Sequence, residues 1–109
     1  KVSDTFKGMA TISATATESK QAAAMAENMT TAKVSDTFKS MATTSATATE
    51  SKQAGAMAEN MTPAKLADVI NNIATTSKGA NESKQAGAFV ENLSDAKAAS
   101  LLTAMTDNK

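Results

Sequence analysis

Lys1–Ala32 runs KVSDTFKGMATISATATESKQAAAMAENMTTA, and Lys33–Ala64 runs KVSDTFKSMATTSATATESKQAGAMAENMTPA. The two stretches agree at 28 of 32 positions and differ only at Gly8/Ser40, Ile12/Thr44, Ala23/Gly55 and Thr31/Pro63. Lys65–Ala96, KLADVINNIATTSKGANESKQAGAFVENLSDA, repeats the second stretch at 17 of 32 positions, and Lys97–Lys109 opens a fourth copy. A period of this length marks a tandem array whose units cannot bury their apolar faces alone. Residues 1–109 therefore form one helical-repeat domain, with repeats 1–32, 33–64 and 65–96 and a half repeat 97–109. Lys1 falls on a repeat boundary with no initiator Met, which points to a processed product or a fragment.

Each copy encodes two helices, here termed A and B. In the third copy Thr62 is an N-cap and Pro63 occupies the first helical position, where its missing N–H costs nothing. Leu66, Val69, Ile70 and Ile73 follow at helical spacing, and Val2, Phe6 and Met9, Val34, Phe38 and Met41, and Ala98, Leu101, Leu102 and Met105 are their equivalents. The B helices start near Thr17, Thr49 and Asn81. Their stripes are Ala22, Met25, Ala26 and Met29; Ala54, Met57, Ala58 and Met61; and Ala86, Phe89, Val90 and Leu93. Short B-to-A turns capped by Thr30, Thr62 and Ser94 favour antiparallel neighbours. The expected fold is all-α, a solenoid of about seven short antiparallel helices, quasi-one-dimensional because each pair packs on the next.

Composition agrees with that architecture and removes most chemistry. Of 109 residues 24 are Ala, 16 Thr and 11 Ser, with no Cys, His, Trp, Tyr or Arg. Ala favours helix and lets helices pack closely, whereas Leu, Ile, Val and Phe together number only 14, a thin core. Large apolar residues gather in the third copy while the first two lean on Met, so the C-terminal part is expected to be the more stable. Without Cys or His there is no disulfide framework, thiol nucleophile, Ser-His-Asp triad or zinc-type site. Eleven Lys balance eleven acids, a neutrality that argues against nucleic-acid partners. No apolar run reaches the roughly 20 residues of a membrane helix. No cofactor is expected.

The junctions ENMTPAKLADVINNI (Glu59–Ile73) and ENLSDAKAASLLTAM (Glu91–Met105) resemble the helical repeats of the cytosolic N-terminal domain of magnesium transporters and of flagellar motor-switch proteins. In those families a turn of the form M-[SDT]-P-x-x-A-A-x-I-L joins short helices. Thr62, Pro63, Ala64, Ala98, Leu101 and Leu102 carry the resemblance, which covers about a third of the chain. It implies an α-solenoid. It also implies, as one alternative function, a cytosolic regulatory domain, although the acidic residues that serve Mg²⁺ sensing there have no counterpart here.

Three sets of side chains are candidates for function. Asn28, Asn60 and Asn92 begin Asn-x-Ser/Thr sequons at the 32-residue period, and Asn81 begins a fourth, against about two expected by chance. The competing reading is a helix turn, Asn ending one helix and Thr or Ser capping the next. Thr11, Ser13, Thr15, Thr17, Thr43, Thr44, Ser45, Thr47 and Thr49 form hydroxyl-rich connections suited to O-linked sugars, or to solvated linkers. Phe6, Met9, Phe38, Met41, Leu101, Leu102 and Met105 supply apolar surface for packing or assembly. The acids Asp4, Asp36 and Asp68, Glu18, Glu50 and Glu82, and Glu27, Glu59 and Glu91 recur by whole repeats. They read as a solvated face with local ion pairs rather than converging carboxylates.

The expectation is a non-enzymatic structural protein, a homo-oligomer or homopolymer stacking head to tail into a filament, tube or surface layer. It would lie outside the cell or on its surface, with covalent glycans as a further expectation, and would not insert into membranes. Cytoplasmic placement is the alternative. A peptide- or protein-binding scaffold is the second function, weakened by near-identical copies with three Phe and no Tyr or Trp.

Overall fold

Segments with helical apolar spacing, Ala-rich in the B helices, form seven α-helices among the described residues: α1 (Val2–Met9), α2 (Thr17–Glu27), α3 (Thr31–Met41), α4 (Thr49–Glu59), α5 (Pro63–Ile73), α6 (Asn81–Val90) and α7 (Asp95–Asp107). The computed structural model describes residues 2–107, with no strand among them. Lys1, Asn108 and Lys109, which the outer repeat boundaries include, lie outside the described residues. The fold is the expected all-α helical repeat. The caps match: the side chains of Thr30 and Thr62 accept from the backbone N–H of Lys33 and Lys65, and Pro63 opens α5. B helices begin at Thr17, Thr49 and Asn81, each preceded by an extended Ala without a side-chain cap.

The helices lie in two layers. α1, α3, α5 and α7 pack in succession, as do α2, α4 and α6, and α1, α3 and α5 each also touch the B helix of their own copy. Neighbouring axes about 8–10 Å apart make four A helices roughly as long a row as the 32 Å greatest extent of the molecule. One continuous core runs between the layers. Leu66, Val69, Ile70 and Ile73 of α5 are all buried, and Phe38 stacks on Phe89 with ring centroids 4.7 Å apart. Small residues bring the B layer close. A Cβ on Gly55 would lie 2.6 Å from the Cβ of Asn92, so α4 can meet α6 there only through glycine.

The stripes depart from expectation at the ends of the array. Met25 is 45% exposed and Leu102 63%, whereas the Met25 equivalents Met57 and Phe89 are fully buried. These positions pack against the neighbouring repeat rather than within their own, and the outer copies present them uncovered.

Candidate functional site at the repeat joints

The polar residues common to all copies act in two places. The first is the A-to-B connection. Ser19, Ser51 and Ser83 sit one turn into the B helices, and each hydroxyl accepts the backbone N–H of Thr11, Thr43 or Thr75 at 3.1, 3.1 and 3.0 Å. Each also donates to the carbonyl of the same Thr. The threonine hydroxyl in turn donates to the carbonyl two residues on and accepts that residue's N–H. Ser19 and Ser51 are fully buried. These connections are therefore clipped to the helices they precede, and both backbone groups of Thr11, Thr43 and Thr75 find side-chain partners without water.

The second place is the joint between copies, where four side chains recur. Gln53 donates its amide to the carbonyls of Lys7 and Ala10 at 2.9 and 2.8 Å, and Gln85 does the same to Lys39 and Ala42, both at 2.8 Å. Those acceptors are last-turn and cap carbonyls that an α-helix leaves without an internal donor. Asn60 donates to the carbonyl of Ala14 at 2.7 Å and Asn92 to that of Ala46 at 2.9 Å, while each also holds a carbonyl of its own helix. The carboxylate of Glu27 accepts the N–H and hydroxyl of Thr62, and that of Glu59 those of Ser94. Finally, the ammonium groups of Lys65 and Lys97 donate to the carbonyls of Met29 and Met61 at 2.5 and 2.6 Å. Charged partners make these bonds stronger than neutral ones.

The sequence reading did not identify Gln53, Gln85, Lys65 or Lys97 as joint residues. The signal for the glutamines was present in the ESKQA string shared by all three copies, and that for the lysines in the Lys that opens every copy. The acid ladder divides in two: Asp4 and Asp36 pair locally with Lys7 and Lys39 at 3.6 Å, whereas Glu27 and Glu59 reach across a joint. No group of three or more acids that could hold a metal ion occurs among the described residues. No described helix is long and apolar enough to cross a membrane.

The candidate modification residues are spread over the surface. Asn28 and Asn81 are exposed, whereas the amides of Asn60 and Asn92 are engaged in the joints. Ser13, Thr15, Thr17, Thr44, Ser45, Thr47 and Thr49 are exposed, and Thr11 and Thr43 are half-buried within the clips. Among the apolar candidates Phe6, Phe38, Met41 and Leu101 are buried in the chain's own core. Met9 and Met105 pack at its edge, and Leu102 faces outward. A groove of about 630 Å³ lies between the first A-to-B connection, α4 and the α6–α7 turn, lined by Ile12, Thr15, Lys52, Ala56, Glu59 and Leu93 among others. Compared with family models, curated proteins and solved structures, the chain matches none.

Proposed function

We propose that this chain is a non-enzymatic structural repeat protein whose copies stack head to tail into a filament, tube or surface layer. The observation that carries the reading is the joint: a polar ladder recurring at the repeat period, built from donors on one face of each repeat and acceptors on the other. Such an interface is heterologous, so it does not close on itself as a two-fold dimer does. The reading places the protein outside the cell or on its surface. There the exposed hydroxyls of Ser13, Thr15, Ser45 and Thr47 suit a glycan coat better than Asn60 and Asn92, whose amides hold the joints.

Sedimentation across a wide concentration range, with negative-stain imaging at the top of it, tests the proposal. Growing assemblies of even width are expected. A single species at the 11.1 kDa sequence mass under all conditions sinks it. Intact mass of the protein from its native source tests the glycans, which add hexose-sized increments. The groove beside α4 favours a second reading, a peptide-binding scaffold. Selection from a random peptide display library, repeated with Ala56→Arg, tests that reading, since binding in the groove is lost in the variant.

A further inference from the structure

The two outer faces of the array carry the two halves of one more joint. On the α2 face, Gln21 is exposed and its amide has no hydrogen-bond partner among the described residues. Asn28 holds only its own helix, through Ala24. The ammonium of Lys33 and the backbone N–H of Thr30 are likewise unpartnered there, although Lys65, Thr62 and Ser94 at the same positions are all bonded. On the α6 face, the carbonyls of Asn71, Ala74, Lys78 and Leu93 and the carboxylate of Glu91 have no partner among the described residues. Their counterparts Lys39, Ala42, Ala46, Met61 and Glu59 accept the bonds of the second joint.

Shape follows the same pattern. Gly55 is filled to contact by Asn92, and its counterpart Gly87 has nothing within 4 Å. Met57 and Phe89 are buried, and their counterpart Met25 is open. A second copy set on α6 in the repeat's own register brings Asn28 to Gly87, Gln21 to Asn71 and Ala74, and Thr30 to Glu91. That register also lays α1 of the second copy along α5, where α7 already sits, because α1, α3, α5 and α7 are successive members of one row. One slot has two claimants. Stacking α1 directly on α7 instead would leave the B position beyond α6 empty and Gln21, Asn28 and Met25 uncovered.

We propose that α7 is an exchangeable plug: α1 of a second copy of this chain displaces it from α5 while α2 of that copy docks on α6, and copies add head to tail through this joint. The inference rests on the head-to-tail reading above and gives it a geometry and a control point. What covers the two claimants favours the exchange: no B helix follows α7, whereas α1 arrives with α2 behind it. Leu101 is the one fully buried side chain of α7 among the described residues, and Leu102, the counterpart of Phe6, is 63% exposed. α1 buries Phe6, its following Ala10 is buried too, and their last-turn carbonyls hold Gln53. With α7 in place the array end is covered by a helix whose exposed side chains are small or polar apart from Leu102, the role of a capping unit in solenoids.

The test uses the full-length chain and four substitutions. Gly87→Gln fills open space on an exposed helix face and leaves the monomer folded, yet it blocks the approach of Asn28. The association constant is expected to fall about tenfold or more. Leu101→Asn loosens α7, so assemblies form at lower concentration than for the unsubstituted chain, and adding Gly87→Gln reverses this. Association that ignores Gly87→Gln, or a well-folded Leu101→Asn variant that associates no better, overturns the joint and leaves head-to-tail stacking standing. If Leu101→Asn loses helicity, the pair Asn28→Cys and Lys78→Cys decides in this cysteine-free chain. Oxidation is expected to give a ladder of covalent multimers, and its absence in an associating sample overturns the register. No association of the unsubstituted chain at any concentration overturns both readings.

Discussion

Gln53 and Gln85 do for α1 and α3 what a glycine-led turn does for many helices: they occupy the carbonyls that the last turn leaves bare. The chain leaves each A helix through an extended residue, Ala42 or Ala74, which cannot fold back on the helix end. The donor must then come from another copy. Gln53→Ala is expected to cost about 1–2 kcal/mol in urea unfolding, whereas Gln21→Ala, the same residue type on the open face, changes stability by less than about 0.5 kcal/mol. Equal losses would show that the bonds to Lys7 and Ala10 contribute nothing. The two glycines make a matching pair. Gly55→Ala forces a Cβ into Asn92 and destabilises by about 1–3 kcal/mol. Gly87→Ala, with open space before it, stabilises by up to about 1 kcal/mol through helix propensity. None of this was legible from single residues, since the acceptors are backbone carbonyls 43 or 46 positions away and carry no side-chain signature.

At the scale of elements, most of the helix pattern was legible and the loops were not. The starts at Thr17, Thr49 and Asn81, the Thr62–Pro63 cap and the buried stripe from Leu66 to Ile73 follow from capping and periodicity alone, and the structure has them there. Met25 and Leu102 lie on the same stripes yet face outward, because a stripe records which face packs but not whether a neighbour exists to cover it. The A-to-B connections read as hydroxyl-rich linkers, and their composition hides a division of labour. Ser51 anchors both backbone groups of Thr43 from a site with no solvent exposure, while Ser45 and Thr47 pair with each other at the surface. Ser51→Ala leaves those two backbone groups without a partner and is expected to cost about 1–3 kcal/mol. Amide exchange at Thr43 should accelerate with it. Ser45→Ala, which removes only an exposed contact, is expected to shift stability by less than about 0.5 kcal/mol. Exchange at Thr43 that is unchanged in the Ser51 variant would show the clip to be incidental.

For the whole molecule, helices pack chiefly on those of the same or the adjoining copy, with Lys65 and Lys97 reaching one copy further, so stability should behave as a sum over joints rather than as one indivisible core. The near identity of the first two copies allows a direct test. Removing residues 33–64 joins Ala32 to Lys65 at a repeat boundary, and every partner of the lost copy has an equivalent. Gln85 then faces Lys7 and Ala10, Asn92 faces Ala14, and Phe89 meets Phe6, the residue that Phe38 replaces one copy later. The shortened chain is expected to keep the same ellipticity per residue. Its urea m-value should fall roughly in proportion to its length, since m follows the surface exposed on unfolding. Its unfolding free energy should fall by about the contribution of one copy and one joint. Loss of helicity per residue would mean that the copies are not interchangeable and that the Phe38–Phe89 contact nucleates a core the first copy cannot rebuild. The same experiment weighs the third copy, which keeps α5 with its four buried large aliphatic side chains. If that copy holds the array together, the deletion costs less than the Phe38→Ala substitution in the full chain, for which about 3–5 kcal/mol is expected from cavity formation.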